Sequence, residues 1–222
     1  MPQIEVAVAA PVDVVWEALR DKEKVRQWHG WDYHGLDDEI DQIFFANVVE
    51  DGRTLALNGG DRFAVSPSET GTLITLTRAP LGGNPELDAY YDDITEGWTT
   101  FLQQLRFALE RHPEEVRRTL YFAGEDGDAA AELGIADTGP HYKADLVGEQ
   151  VAGELWFRSA NQVGITVDSW GDGLLVVART PPSDGKPRAA VMAVLSTYGL
   201  DETKFADLDT RWTTWWSARQ PG

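Results

Sequence analysis

The 222-residue chain is long enough to bury a sizeable core, and its length admits either one large domain or two small ones. With 42% hydrophobic, 10% aromatic and 25% charged residues it is not a disordered chain, and the absence of cysteine excludes disulfides, thiolate nucleophiles, zinc–thiolate sites and iron–sulfur clusters. Its 37 acidic against 19 basic residues leave a net charge of −18, which repels phosphate backbones, so nucleic-acid and anionic-membrane partners are not expected.

In chain order, Ile4, Val6 and Val8 alternate with Glu5 and Ala7 and predict a half-buried strand. Pro11 fits a first helical position, Asp13 a first turn, and Val12, Val15, Trp16 and Leu19 one apolar stripe, so a helix follows, continued by a short piece over 23–28. After a polar stretch to Asp41, strand-like runs cover 42–49, 53–58, 61–65 and 72–78, punctuated by Asp51-Gly52, Gly59-Gly60 and Ser66-Pro67-Ser68. Asn84 and Pro85 read as the cap and first residue of a long helix. Its apolar positions Tyr91, Ile94, Trp98, Phe101, Leu102, Leu105 and Leu109 keep helical spacing, and His112-Pro113 ends it.

The second half repeats this order. The segment from Asp93 through Trp98-Thr99-Thr100 recurs from Asp207 through Trp212-Thr213-Thr214, an offset of 114 from position 98 to position 212. Without a gap, the same offset pairs Ala46-Asn47 with Ala160-Asn161, Gly59 with Gly173 and Pro67 with Pro181. The second copy opens on a strand at 120–122 and a helix shrunken to 129–134, with loop-like residues to about His141. Strands follow at 149–158, 163–170, 174–180 and 188–196, then a helix carrying Phe205, Leu208, Trp212, Trp215 and Trp216, shorter than its counterpart. The expected architecture is α+β: two tandem domains, 1–114 and 115–222, each a curved antiparallel sheet wrapped around a long C-terminal helix, the second copy degenerate.

Residues 3–113 resemble the SRPBCC (START-like, helix-grip) superfamily, and within it the branch similar to activators of the heat-shock chaperone ATPase. The resemblance is carried by Ala10-Pro11, Val15-Trp16, Ala18-Leu19 and Asp21, then Trp28, and by Gly97-Trp98, Leu102 and Leu105 on the last helix. Asp37-Asp38-Glu39 and Gly59-Gly60 stand where that branch has a glycine-rich strand pair. The resemblance implies an apolar cavity between sheet and C-terminal helix, used by various members for lipids, polyketides or hormones; it also implies possible chaperone or other protein partners, and it includes cyclases.

The expected binding residues are Trp28, Trp31, Tyr33, Phe63, Tyr91, Trp98 and Leu102. Trp98 follows Gly97 in mid-helix, where glycine costs about 1 kcal/mol against alanine and so points to a need for backbone room beside the sheet or a ligand. Core packing accounts equally for Trp98 and Trp28. In the second copy Arg211 replaces Gly97, and a long charged side chain there either snorkels outward or intrudes on a cavity. His29, His34, Asp32 and the acidic run to Asp41 lack metal-ligand spacing, so no metal is expected. Asp92, Asp93 and Glu96 suit a helix N-terminus better than catalysis. No nucleotide-binding or hydrolase motif appears, so no cofactor is expected. The amino terminus has no basic leader, and the longest uncharged apolar run, Ala189 to Leu200, is too short to span a bilayer, so a cytoplasmic protein is expected. The leading reading is non-enzymatic binding of a small hydrophobic ligand by the first domain. The rivals are a protein-interaction module and a polyketide-cyclase-like enzyme.

Overall fold

The computed structural model describes residues 2–82, 88, 90–183 and 186–219. The chain divides into two compact units, Met1–Glu114 and Glu115–Gly222. Among the described residues, no helix is long and apolar enough to cross a membrane.

The first unit runs β1 (Gln3–Val8), α1 (Val12–Arg20), α2 (Lys22–Arg26), α3 (Leu36–Ile40), a π-helical turn (Asp41–Phe45), β2 (Val49–Asp51), β3 (Thr54–Ala56), β4 (Arg62–Ser68), β5 (Gly71–Thr77) and α4 (Tyr91–Arg111). Its antiparallel sheet has the order β1-β5-β4-β3-β2. Trp98, Leu102 and Leu105 form the buried stripe of α4 and share one core with Phe63 and Val65 of β4 and Ile74 and Leu76 of β5. Alternation along β5 explains this, because Thr72, Ile74 and Leu76 are buried while their neighbours are only partly so. Pro11 stands one residue ahead of α1, and Asp21 caps α2 by accepting from the Lys24 amide at 3.1 Å. The expected Asn84 cap and Pro85 helix start lie outside the described residues.

The last part of the stretch read as polar to Asp41, and the start of the strand expected over 42–49, are instead helical over 36–45. Leu36, Ile40 and Phe44 recur at four-residue spacing and each is completely buried, so one apolar stripe carries α3 into the π-helical turn. The adjacent acidic residues obscure that stripe in the sequence. Strand structure resumes only at Val49.

The second unit runs β6 (Arg117–Glu125), α5 (Ala129–Glu132), β7 (His141–Leu146), β8 (Glu149–Arg158), β9 (Gln162–Val167), a 3-10 turn (Asp168–Trp170), β10 (Gly173–Thr180), β11 (Ala190–Tyr198) and α6 (Glu202–Arg219). Its sheet has the order β6-β11-β10-β9-β8-β7. Trp212, enclosed by Trp170, Phe122 and Trp215, anchors α6 to the sheet. Each unit thus has the expected α+β composition, an antiparallel sheet with a long closing helix, and the second has a first helix of only four residues.

Two details depart from expectation. The loop-like residues expected to run to about His141 give way to strand β7, which was not foreseen: Tyr142, Ala144 and Leu146 turn inward between exposed His141, Lys143 and Asp145. The ungapped offset also fails. Arg62 faces Thr77, but Val176, 114 positions after Arg62, faces Val194 rather than Val191. The second hairpin is therefore shifted by three residues, with a connection over 181–189 in place of 69–70.

Gly97 is not crowded. A Cβ there would meet only Phe101, at 3.9 Å, which is ordinary contact. The expectation that the helix needs backbone room at this point is therefore not met. Gly97→Ala is expected to stabilise the first unit by about 1 kcal/mol through helix propensity, seen as a higher urea midpoint.

Candidate ligand-binding cleft

The start of β4, the end of β5 and the first two turns of α4 enclose a cleft of about 640 Å³. Ile43, Leu57, Pro80, Tyr91, Ile94 and Trp98 supply its apolar lining, Asp61 and Arg78 a charged floor, and Gln42, Asn58 and Asp88 further polar lining. Strand register brings the two charges together. Arg62 pairs with Thr77, so the next residue outward on each strand, Asp61 and Arg78, stand side by side. A tight turn precedes Asp61, in which the Leu57 amide donates to the Asp61 carbonyl at 2.9 Å and Gly60 takes φ 87. A positive φ of that size favours glycine.

Both charges are almost fully buried, Asp61 at 8% and Arg78 at 5% exposure. The Asp61 carboxylate accepts from Trp98 Nε1 at 2.9 Å, the Ala79 amide at 2.7 Å and Arg78 Nε at 3.1 Å. Arg78 donates Nη1 to Thr95 Oγ1 at 2.6 Å and lies 4.5 Å from the Tyr91 ring centroid. The Tyr91 hydroxyl donates to the Ala79 carbonyl at 2.7 Å. Tyr91, Ile94, Thr95 and Trp98 fall at helical spacings of three and four, so one face of α4 meets both the ion pair and the cleft. A buried ion pair is tolerated only when its remaining hydrogen-bonding capacity is met, and three donors on one carboxylate largely meet it. Among the described residues, no acceptor meets Arg78 Nη2, and Arg78 is a lining residue of the cleft.

Of the seven residues expected to bind ligand, Tyr91 and Trp98 line this cleft. Trp28, Phe63 and Leu102 do not; they are enclosed in the core at 1%, 0% and 0% exposure. Trp28 donates Nε1 to the Ala18 carbonyl at 2.8 Å and packs edge-on against Phe44. Trp31 is half-buried, its ring 6.2 Å from that of Phe101, and Tyr33 is exposed. Neither reaches the cleft. Asp61 and Arg78 were not foreseen, although the buried indole N–H of Trp98 calls for an acceptor and Arg78 ends an apolar strand.

His29 lies behind the cleft wall, ringed by Trp28, Phe44, Trp98 and Phe101. Its Nε2 is 3.0 Å from Glu39 Oε1, and the Tyr33 hydroxyl donates to the other Glu39 oxygen. The hydrogen bond to His29, and then that from Tyr33, hold the Glu39 carboxyl below the usual carboxylate range. The bond to Glu39 in turn pushes the Tyr33 phenol up to about 12. Because the folded Glu39 value is depressed, its contribution is complete above the unfolded value and is lost as pH falls through the folded one. Glu39→Gln is expected to flatten the loss of stability between roughly pH 5 and 3, measured as urea midpoint against pH.

The second unit differs at the corresponding helix. Arg211 turns back to bind Glu149 at 2.7 Å, Asp207 at 2.9 Å and the Val147 carbonyl at 3.2 Å. Trp212 Nε1 is buried with no acceptor among the described residues. Among the described residues, no group of three or more His, Asp or Glu side chains is arranged to hold a metal ion.

Several solved structures are similar to the chain. DynU16, a protein of the dynemicin biosynthetic locus, is 18% identical, with 97% of this chain and 95% of that one covered at a TM-score of 0.36. StfQ, the di-domain ARO/CYC of the steffimycin biosynthetic pathway, is 13% identical, covering 96% of this chain and 91% of its own, with a TM-score of 0.35. A Staphylococcus saprophyticus protein is 24% identical over 49% of this chain and 90% of its own, with a TM-score of 0.37. No protein-family model matches the sequence, and no curated protein matches it.

Proposed function

We propose that the first unit binds a small, mostly apolar molecule in the Trp98 cleft without transforming it. The observation that carries this reading is a cleft of about 640 Å³ whose apolar walls end on the Asp61–Arg78 floor. That volume and that mixture of many apolar groups with a few fixed polar ones suit a small-molecule site. A lining arginine whose Nη2 has no acceptor among the described residues favours a ligand with one hydrogen-bond acceptor at its buried end. Binding is preferred over turnover because the Asp61 carboxylate already accepts from three donors, and one Asp88 oxygen accepts from the Gly82 amide at 3.0 Å. On this reading the chain is a tandem SRPBCC protein of the cytoplasm. A chaperone-like partner on its acidic surface is the second reading, favoured only by the net charge of −18. Thermal shifts with polyketides, fatty acids and sterols test the proposal. A ligand at a hundred times its Kd raises stability by about 2.7 kcal/mol, whereas a panel that shifts nothing refutes it.

A further inference from the structure

We propose that the second unit carries a separate site for a small carboxylate, in a pocket of about 260 Å³ lined by Arg158 at the end of β8 and Arg179 near the end of β10. The site is independent of the Trp98 cleft. Arg158 donates Nη1 to the Ala136 carbonyl and Nη2 to that of Thr138, and Arg179 donates Nε to the Gly127 carbonyl at 3.0 Å. Backbone carbonyls thus fix both guanidinium groups without neutralising them. Among the described residues, neither arginine has a carboxylate within ion-pair distance, although acidic residues outnumber basic ones 37 to 19. Arg20, Arg53, Arg78, Arg118, Arg188, Arg211 and Arg219 are ion-paired by contrast, and exposed Arg62, like these two, is not. Arg179 keeps both Nη groups, a planar fork that matches the two oxygens of a carboxylate.

The remaining lining sets the ligand's charge and size. Ser159 Oγ accepts from the Asn161 and Gln162 amides at 3.3 and 3.0 Å, so its hydroxyl proton is free to donate. Asp128 is the one acidic lining residue, and one of its carboxylate oxygens accepts from the Ala131 amide at 3.0 Å. Asp126, close enough to feel Arg179, is held by Arg188 at 2.7 Å. Two arginines against one aspartate leave a single positive charge, which suits a monoanion better than a phosphate dianion. Val163, Val177 and Pro181 line the pocket where a short alkyl chain would lie, beside the uncharged side chains of Asn161 and Gln162, and supply no charge to hold a second charged end.

Titration of the full chain with sodium butyrate at constant ionic strength, followed by backbone amide NMR shifts, tests the site. Saturable shifts confined to residues around 158–162 and 179 are expected. Arg179→Gln should weaken them at least ten-fold with an unchanged melting temperature, and Arg158→Gln serves as a second variant should Arg179→Gln fold poorly. Butyramide and inorganic phosphate should bind more weakly than butyrate. The proposal is overturned if butyrate gives no saturable shifts, if its shifts survive in both variants or map to the first unit, or if either control binds as tightly.

Discussion

Asp61→Ala is expected to destabilise the first unit by about 3–5 kcal/mol, among the larger effects of any single substitution outside the hydrophobic core. The change strands a buried guanidinium and removes the acceptor of two further donors, the Trp98 indole and the Ala79 amide. Each buried donor left unmatched costs about 1–3 kcal/mol. Arg78→Met should cost less, because the carboxylate it exposes keeps those two other donors. The double variant Asp61→Leu with Arg78→Met removes both charges at once and should lose much less than the two single losses added together, since a buried pair replaced by apolar groups is often close to neutral. Urea midpoints for the four proteins of this cycle check the claim. Additive losses would show that the two side chains do not act as a unit.

Trp28→Ala should cost about 3–5 kcal/mol, while leaving ligand affinity in the Trp98 cleft intact at temperatures where the variant stays folded. The ring is 1% exposed, edge-on to Phe44, and tied to the Ala18 carbonyl, so its removal opens a cavity and orphans an acceptor. Tyr33→Ala, at an exposed ring, should change stability by no more than about 0.5 kcal/mol apart from the Glu39 contact. A calorimetric titration of each variant against the same ligand separates the two roles. A collapse of affinity in folded Trp28→Ala would return that residue to the binding site.

The contrast between Trp28 and Trp98 shows where sequence reading succeeds and where it stops. Both are buried aromatic residues, Trp98 on the stripe of α4 and Trp28 in the turn after α2, and the sequence left each open between core packing and ligand binding. What separates them is tertiary: Trp98 meets Asp61, 37 positions away in sequence, at the edge of a cleft, whereas Trp28 meets the helix it follows. Local patterning foresaw β1, α1 and α4, whose apolar periods are clean. It missed α3 and its π-helical turn because four acidic residues lie among Leu36, Ile40 and Phe44, and it missed β7 because an edge strand with one polar face reads as loop. The hairpin shift of three residues and the Asp61–Arg78 pair both depend on strand register, which no single stretch of sequence specifies.

Blocking the cleft tests the central reading most directly. Ile94 is a half-buried lining residue that makes no polar contact with the ion pair, so Ile94→Trp fills space without removing Asp61, Arg78 or Trp98. Ligand affinity, taken for whichever panel member stabilises the wild-type chain most, is to be measured by calorimetry for wild type and Ile94→Trp at matched fold stability. Occupancy of the cleft predicts at least a ten-fold loss in the variant; undiminished affinity would place the ligand elsewhere and contradict the account.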